Sequence, residues 1–383
     1  MLVNTDSCVE VQDAAGHVVY THEAALPLSP ASTQKLLVAA AALDVLGPDY
    51  RFATSVVAPV RPVAGRVPQA WLVGGGDPVL SSPEYTVFLT LQPMMAGHPV
   101  TTQLLSLADQ LAAEGIRQIP GGIHGDDSRY DRTRWLPTWN ATYSQEGDVA
   151  PLGALEVDDG LDRWHPAVET ADPAGHAAGV LARLAAGAGV ATAQAPDGVA
   201  PPGSVVLAAV QSPPLADLVT AMLRESDNTT AEMLTRELDR VEGGAGTTAG
   251  GTAVLVREAA KLGLPTAGLQ LVDGSGLSPQ NRASCATLLA AAGLAAQPRF
   301  AALGQLSVAG RFGTLYNRFL GTPLAGRLAA KTGNIDGVMG LVGHMDVGPP
   351  LSFAFLLNGP ISYPEGVGYE NRIVAALGAY RGP

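Results

Sequence analysis

Three short polar motifs occur in order along the chain and constrain its fold more than any other feature. They are Ser32-Thr33-Gln34-Lys35, Ser226-Asp227-Asn228 and Lys331-Thr332-Gly333. Only three lysines occur among the 383 residues, and two of them belong to these motifs. A desolvated ammonium loses its proton readily, whereas a guanidinium does not. The pattern therefore predicts a fold that brings a serine and two lysines together from distant parts of the chain.

The first motif predicts a nucleophile with its base at the start of a helix. Ser29 suits the N-cap, Pro30 suits the first helical position, and an apolar run from Leu36 to Leu43 follows. Ser32 and Lys35 would then lie one turn apart on one face. A serine hydroxyl needs a neighbouring base to attack an acyl group, and burial or a second ammonium lowers a lysine pKa. Backbone amides at the helix start could bind the oxyanion.

The other two motifs supply compact polar groups suited to the same chemistry. Ser226 could relay a proton to a leaving nitrogen, and Asn228 could hold a substrate carbonyl. Lys331, Thr332 and Gly333 would lie on an edge strand where an extended substrate can pair with the backbone. Lys331 and Thr332 could fix a terminal carboxylate, and the amide of Asn334 could be the second oxyanion donor. This divides the lysines into a neutral base and a charged anchor whose titrations are coupled.

The arrangement of predicted elements indicates an α/β (α+β) fold with an inserted region. Strand-like runs near both ends predict one antiparallel sheet, completed by the N-terminal strands and flanked by helices. Residues 1–50 and 208–383 would form this catalytic domain, with the strand 205–210 returning to it. Residues 51–207 are too long for a loop and predict inserted domains, as two nested subdomains. A terminal helix is expected from about Tyr369.

Longer words around the motifs resemble those of one family. They are Pro30-Ala31-Ser32-Thr33-Gln34-Lys35-Leu36, Leu72-Val73-Gly74-Gly75-Gly76-Asp77-Pro78, Ser226-Asp227-Asn228 with Ala231-Glu232, Asp273-Gly274-Ser275-Gly276-Leu277-Ser278, and Lys331-Thr332-Gly333. Over nearly its whole length the chain resembles the low-molecular-mass class C penicillin-binding proteins, the D-alanyl-D-alanine carboxypeptidase/endopeptidase family. The resemblance implies a transpeptidase-like fold acting outside the cytoplasm on peptidoglycan stem peptides, and acylation by β-lactams.

The resemblance also implies roles for individual residues. Ser32 would be the nucleophile, Lys35 its base, Ser226 the proton relay, and Lys331 with Thr332 the carboxylate site. Asn334 departs from the family, which usually has Thr or Ser there.

Two aromatic residues and the start of the chain carry further expectations. Trp139 and Tyr143 are candidates for the substrate cleft, although stacking within the inserted region is the favoured interpretation. No secretory leader is readable at the start of the chain, so an extracytoplasmic location would require a leader that the chain does not contain.

Three alternatives share some of these features. A serine β-lactamase has the same three elements, but the Glu-x-x-Leu-Asn word of its deacylating loop is not found. An esterase of the same fold and a catalytically silent peptidoglycan-binding scaffold are weaker alternatives, since the serine and both lysines are intact.

Composition limits the partners that are expected. The net charge of −12 argues against nucleic acid, and neither a membrane span nor a basic lipid anchor is readable. The seven histidines show no paired metal spacing, and the glycines of 244–249 indicate a turn, so no metal or cofactor is expected. Cys8 and Cys285 are interpreted as two buried thiols in preference to one bridge. The oligomeric state is not predicted.

Overall fold

The computed structural model describes residues 6–382. Its strands are β1 (Asp6–Asp13), β2 (Val18–His22), β3 (Ala53–Ala58), β4 (Ala70–Val73), β5 (Leu80–Ser81), β6 (Thr102–Gln103), β7 (Gln118–Asp126), β8 (Leu161–Trp164), β9 (Ala167–Glu169), β10 (Ala191–Gln194), β11 (Val205–Gln211), β12 (Ser307–Val308), β13 (Leu328–Ile335), β14 (Val338–Met345) and β15 (Leu351–Asn358). Its α-helices are α1 (Lys35–Val45), α2 (Pro83–Thr90), α3 (Leu105–Ala113), α4 (Thr142–Glu146), α5 (Pro173–Gly187), α6 (Leu215–Glu225), α7 (Asn228–Val241), α8 (Thr248–Lys261), α9 (Cys285–Gly293) and α10 (Tyr363–Gly378).

A six-stranded antiparallel sheet joins the two ends of the chain. Its order is β12-β13-β14-β15-β1-β2, so the N-terminal hairpin completes a sheet begun by the C-terminal strands, as the sequence predicts. Side chains alternate between the two faces of each strand. Along β15, Ala354 and Leu356 pack toward α1 and α9, whereas Phe355 and Leu357 pack toward α10. The sheet is therefore covered by helices on both faces.

Helix α1 is buried on all sides, and it begins later than the sequence predicts. Every residue from Leu36 to Leu43 is at most 2% exposed, because α1 is surrounded by other elements of the core. A 3₁₀ turn, Ala31–Gln34, precedes α1, and Ala31 has a left-handed φ of 45°. Ser29 is not an N-cap, since Pro30 precedes the 3₁₀ turn and the Ser29 hydroxyl makes no hydrogen bond among the described residues. The Ser32 turn is therefore a separate, tighter element in front of the helix.

A second, five-stranded sheet occupies the region between the first two motifs. Its order is β10-β7-β4-β3-β11, and it packs against α3 and α5 around its own apolar cluster. The prediction that the catalytic domain resumes with 205–210 is wrong, because β11 pairs antiparallel with β3 of this second sheet. The polypeptide returns to the helical core only at α6. The division of 51–207 into nested subdomains stays a prediction.

Two further local predictions are corrected by the structure. Cys8 and Cys285 form a disulfide, because β1 and the start of α9 pack together and bring their Cα atoms to 5.9 Å. Their separation of 277 residues hides this proximity in the sequence. Helix α10 begins at Tyr363 and not near Tyr369, because Ser362 and Glu365 form a capping box there.

Candidate active site

A cleft of about 600 Å³ lies where the three motifs converge. Its floor contains the Ser32 turn, one wall is the loop between α6 and α7, the other wall is β13, and α4 forms part of the rim. Its lining residues are Ser32, Tyr143, Glu146, Gly147, Asp148, Glu225, Ser226, Asp227, Asn228, Leu277, Thr314, Arg318, Thr332, Gly333, Asn334, Ile335, Asp336, Met339, Tyr363 and Glu370. The volume is typical of a site for a small molecule or short peptide.

Ser32 and Lys35 form the pair that the sequence predicts. The Lys35 Nζ lies 2.7 Å from the Ser32 Oγ, 2.7 Å from the Asn228 Oδ1 and 2.7 Å from the Ser275 carbonyl oxygen. The side chain of Lys35 is fully buried. The serine hydroxyl is therefore within proton-transfer distance of an amine that solvent does not reach.

The partners of Lys35 fix where its hydrogens point. The Ser275 carbonyl can only accept, and so can the Asn228 Oδ1, since the other end of that amide donates to the Asp148 carbonyl at 2.7 Å. Two N–H bonds of Lys35 are therefore committed. In the neutral amine, the remaining lone pair faces the hydroxyl of Ser32.

Burial and nearby carboxylates set the protonation of Lys35 in opposite directions. Burial lowers the pKa of Lys35 to about 8, and the negative charges of Asp227, Asp273 and Glu232 oppose this shift. A substantial fraction of the amine is therefore neutral near physiological pH.

The second motif lies on a strained turn between α6 and α7. Ser226 adopts a left-handed conformation with φ 64°, which is unfavourable for a residue other than glycine. Asp227 follows as the N-cap of α7, where its carboxylate accepts from the Thr230 N–H. This turn directs the hydroxyl of Ser226 toward Lys331 and the amide of Asn228 toward Lys35.

The third motif lies on β13, which has an open edge beside the cleft. Strand β12 pairs with β13 only at Ala329 and Ala330, so the stretch from Lys331 to Ile335 pairs with β14 alone among the strands described. Gly333 lines the cleft and also has a packing role. A Cβ there would lie 2.8 Å from the Pro30 carbonyl oxygen, so glycine lets β13 lie against the Ser32 turn.

Lys331 is placed beneath the cleft and not on its surface. Its Nζ donates to the Ser226 Oγ and the Thr332 carbonyl oxygen, both at 2.7 Å, and the residue is fully buried. Burial first, and the charge of Lys35 second, lower the pKa of Lys331 well below its usual range. Burial thus disfavours the charged form that the sequence analysis expects at Lys331, and its role as carboxylate anchor stays a prediction.

Two buried carboxylates that the sequence does not assign a role hold the floor of the site. Glu232 accepts from the backbone N–H groups of Gly274 and Ser275, at 2.9 and 2.7 Å. Asp273 accepts from the side chain of Asn281 and from the Ser278 N–H, both at 2.7 Å. They therefore position the Ser275 carbonyl that binds Lys35. Both residues belong to sequence segments that resemble those of the family. That resemblance is the signal from which their importance could have been predicted.

The two aromatic candidates lie at the junction between the insert and the catalytic elements. Tyr143 lines the cleft, whereas Trp139 lies behind it and donates from Nε1 to the Asp273 Oδ2 at 2.9 Å. Both pack in one apolar cluster with Ala31 and Leu277. Trp139 also stacks edge-to-face on Trp135 within the inserted region, as predicted, so the aromatics pack both inside the insert and against the catalytic elements. Trp139 supports the site without lining the cleft.

Two absences concern the described part of the chain. Within residues 6–382, no group of three or more His, Cys, Asp or Glu side chains has an arrangement able to hold a metal ion. None of the helices over the same residues combines the length and apolar character that crossing a bilayer requires.

The fold is that of penicillin-binding peptidases. A crystal structure of penicillin-binding protein 4 (dacB) from Haemophilus influenzae superposes with a TM-score of 0.81 at 21% identity, covering 98% of this chain and 97% of that one. A penicillin G-acylated predatory endopeptidase from Bdellovibrio bacteriovorus gives a TM-score of 0.58 at 18% identity, covering 97% of this chain and 92% of that one.

Sequence similarity makes the assignment more specific. The family model described as D-Ala-D-Ala carboxypeptidase 3 (S13) matches residues 2–174 and 162–379. Carboxypeptidase DacB of Mycolicibacterium smegmatis is 34% identical over 90% of this chain and 74% of its own length. The D-alanyl-D-alanine carboxypeptidase of an Actinomadura species is 30% identical over 98% of this chain and 81% of its own length. The chain belongs to the S13 family of D-Ala-D-Ala carboxypeptidases and is a serine-type peptidase, which confirms the resemblance to class C penicillin-binding proteins.

Proposed function

We propose that this chain removes or cleaves at a D-alanine in peptidoglycan stem peptides through an acyl-enzyme on Ser32, and that β-lactams acylate the same serine. One observation carries the assignment of the nucleophile. The Lys35 amine is 2.7 Å from the Ser32 hydroxyl, and its other two contacts are with groups that can only accept hydrogen bonds. This arrangement leaves the lone pair of the neutral amine for the hydroxyl proton.

Acylation follows from the contacts around Ser32. The neutral amine of Lys35 takes the proton of the Ser32 hydroxyl as the oxygen forms a bond to the carbonyl carbon of the penultimate D-alanine. A backbone amide of the Ser32 turn and the amide of Asn334 on the open edge of β13 bind the negative oxygen. The side chain of Asn228 orients the incoming acyl group.

Departure of the last residue requires a proton on its nitrogen. Ser226 is suited to deliver it, since its hydroxyl lies in the cleft lining and is 2.7 Å from the Lys331 Nζ. The proton that Lys35 took from Ser32 replaces the one that Ser226 gives up, and Lys331 orients the Ser226 hydroxyl from beneath the cleft. Water then attacks the ester on Ser32 and restores the free enzyme, with Lys35 again the nearest base.

The shape and surroundings of the cleft support the peptide substrate and its location. The edge of β13 that pairs with β14 alone offers backbone groups to an extended chain, with Thr332, Gly333 and Asn334 facing it. The cleft is open, which suits both carboxypeptidase and endopeptidase action. Tyr143 also lines the cleft. Peptidoglycan lies outside the cytoplasm, so we place the protein there.

Labelling with a fluorescent penicillin tests the assignment. We expect one persistent adduct, mapped to Ser32, and release of D-alanine from a peptide ending in D-Ala-D-Ala. Ser32→Ala should lose both without loss of folding, whereas the control Ser106→Ala in α3 should keep both. A labelled Ser32→Ala variant would move the nucleophile elsewhere. Rapid turnover of the adduct would favour a β-lactamase, and no adduct would favour a silent scaffold.

A further inference from the structure

Acidic side chains outnumber basic ones in the cleft lining, although the proposed substrate ends in a carboxylate. The acidic lining residues are Glu146, Asp148, Glu225, Asp227, Asp336 and Glu370. Among the described residues of the lining, Arg318 is the only one with a positive side chain. An anionic chain end entering this field is repelled unless a local cation offsets the carboxylates. Arg318 is the cation available on the surface of the cleft.

Lys331 does not meet this need in the observed geometry. It is fully buried, it is absent from the lining, and its donors are directed to Ser226 and to the carbonyl oxygen of Thr332. A ligand in the cleft therefore meets the hydroxyls of Ser226 and Thr332 before it meets the lysine. The carboxylate must be recognised by groups in front of Lys331.

A chain of hydroxyl groups leads to Thr332 and fixes its polarity. The hydroxyl of Ser307 donates to the Arg224 carbonyl at 2.7 Å, so its single hydrogen is committed. Thr314 lies 3.1 Å from that hydroxyl and 2.8 Å from the hydroxyl of Thr332. Because Ser307 has no hydrogen left to give, Thr314 donates to Ser307 and accepts from Thr332, so the hydrogen of Thr332 is committed as well. Thr332 therefore offers no free donor to the cleft, and Arg318 is the donor available to a carboxylate.

Arg318 is held in place by two residues of α10. Its guanidinium donates to the Glu370 Oε2 at 2.7 Å and to the Asn371 Oδ1 at 2.7 Å, both on α10. These two bonds leave donors of the guanidinium unused. Burial raises the pKa of Glu370 to about 7. Near neutral pH, part of the population therefore has a protonated Glu370 that does not offset the positive charge of Arg318. Arg318 also follows Thr314 within one short segment, and both line the cleft.

We propose that Arg318 binds the terminal carboxylate of the peptide. Arg318 is then the specificity-determining residue for a free carboxyl end, and Lys331 acts only through Ser226. The inference rests on the proposed peptidase function and adds the residue that selects its substrate.

Two peptides that differ only in terminal charge test this role. The probes are acetyl-L-Lys-D-Ala-D-Ala with a free carboxylate and the same tripeptide as a terminal amide. Wild type should prefer the free acid. Because a charge-assisted hydrogen bond is lost, Arg318→Gln should lower kcat/KM for the acid by about 30-fold, mainly through KM. The amide should lose far less, so the preference should largely disappear.

Three variants separate recognition from packing. Arg311→Gln removes an exposed arginine of the same segment that does not line the cleft, and it should keep the preference. Glu370→Gln keeps the guanidinium and should keep most of the preference. Arg318→Gln/Glu370→Gln replaces the buried pair by neutral side chains and should lose the preference as Arg318→Gln does, with normal thermal unfolding.

The outcomes distinguish failure of this inference from failure of the proposed peptidase function. An unchanged preference in Arg318→Gln, or an equal loss for acid and amide, overturns the assignment of Arg318 alone. Failure of wild type to cleave either peptide, together with no penicillin adduct on Ser32, overturns the proposed function and this inference with it.

Discussion

Lys35 and Lys331 are the same residue type at the same depth, and their surroundings give them different properties. Both are 0% exposed, and burial lowers the pKa of both. The charges of carboxylates such as Asp227 and Asp273 oppose this effect at Lys35, whose pKa is about 8. At Lys331 the next influence is the positive charge of Lys35 itself. The neighbours, and not the depth, therefore decide which amine retains a proton.

This difference assigns one chemical task to each lysine. A base works best when its pKa is near the working pH, which describes Lys35. Lys331 contacts the hydroxyl of Ser226 and is screened from the cleft, so its task is to orient the hydroxyl that delivers the proton. As the pH rises through about 8, the neutral fraction of Lys35 increases, and acylation should accelerate until that amine is fully deprotonated.

The largest effect is expected when Lys35 is replaced. In Lys35→Met the hydroxyl of Ser32 loses its base, so the second-order rate of acylation by penicillin should fall about 10³-fold to 10⁴-fold. The measurement is the stopped-flow or gel-based labelling rate over a range of pH. The increase in labelling rate as the pH rises through about 8 should also disappear in this variant.

Lys261→Met is the matched control for this comparison. Lys261 is the third lysine of the chain, its side chain is 60% exposed, and it pairs with Asp44 and Glu258 away from the cleft. Its replacement should leave the labelling rate close to that of wild type. A Lys35→Met protein that folds normally and is acylated at more than a tenth of the wild-type rate would contradict the role of Lys35.

A smaller effect is expected at Lys331. Lys331→Met should lower D-alanine release about 100-fold, the lower end for a lost general acid, because Ser226 loses the contact that orients its hydroxyl. The ratio of rates for the free-acid and amide peptides should stay as in wild type, since Lys331 does not line the cleft. Collapse of that ratio in Lys331→Met would instead make Lys331 the carboxylate anchor.

The order of the motifs and the main sheet could be predicted because they depend on local patterns. The apolar run after Lys35, the strand-like runs near the C-terminus and the family words each carry their signal within a few residues. The start of α1 was misplaced, since the left-handed turn at Ala31 depends on packing against β13 and the 273–278 loop. Gly276 shows this dependence, because a Cβ there would lie 2.1 Å from the Ala31 carbonyl oxygen.

Features that depend on distant packing could not be predicted. The Cys8–Cys285 disulfide, the pairing of β11 with β3 and the burial of Lys331 each join segments far apart in the sequence. Arg318 carries no local signal that separates it from the other arginines. Its importance appears only when the cleft is assembled and its charges are compared.

Direct titration of the lysine side chains tests the central claim, that Lys35 is the amine neutral enough to activate Ser32. With three lysines in the chain, ¹³C and ¹⁵N labelling of lysine gives few signals, and Lys35→Met, Lys331→Met and Lys261→Met assign them. We expect Lys35 to titrate near 8, Lys331 below the usual lysine range, and Lys261 above it because of its carboxylate partners. A pKa of Lys35 in the range of an ordinary exposed lysine, or as high as that of Lys261, would contradict the account.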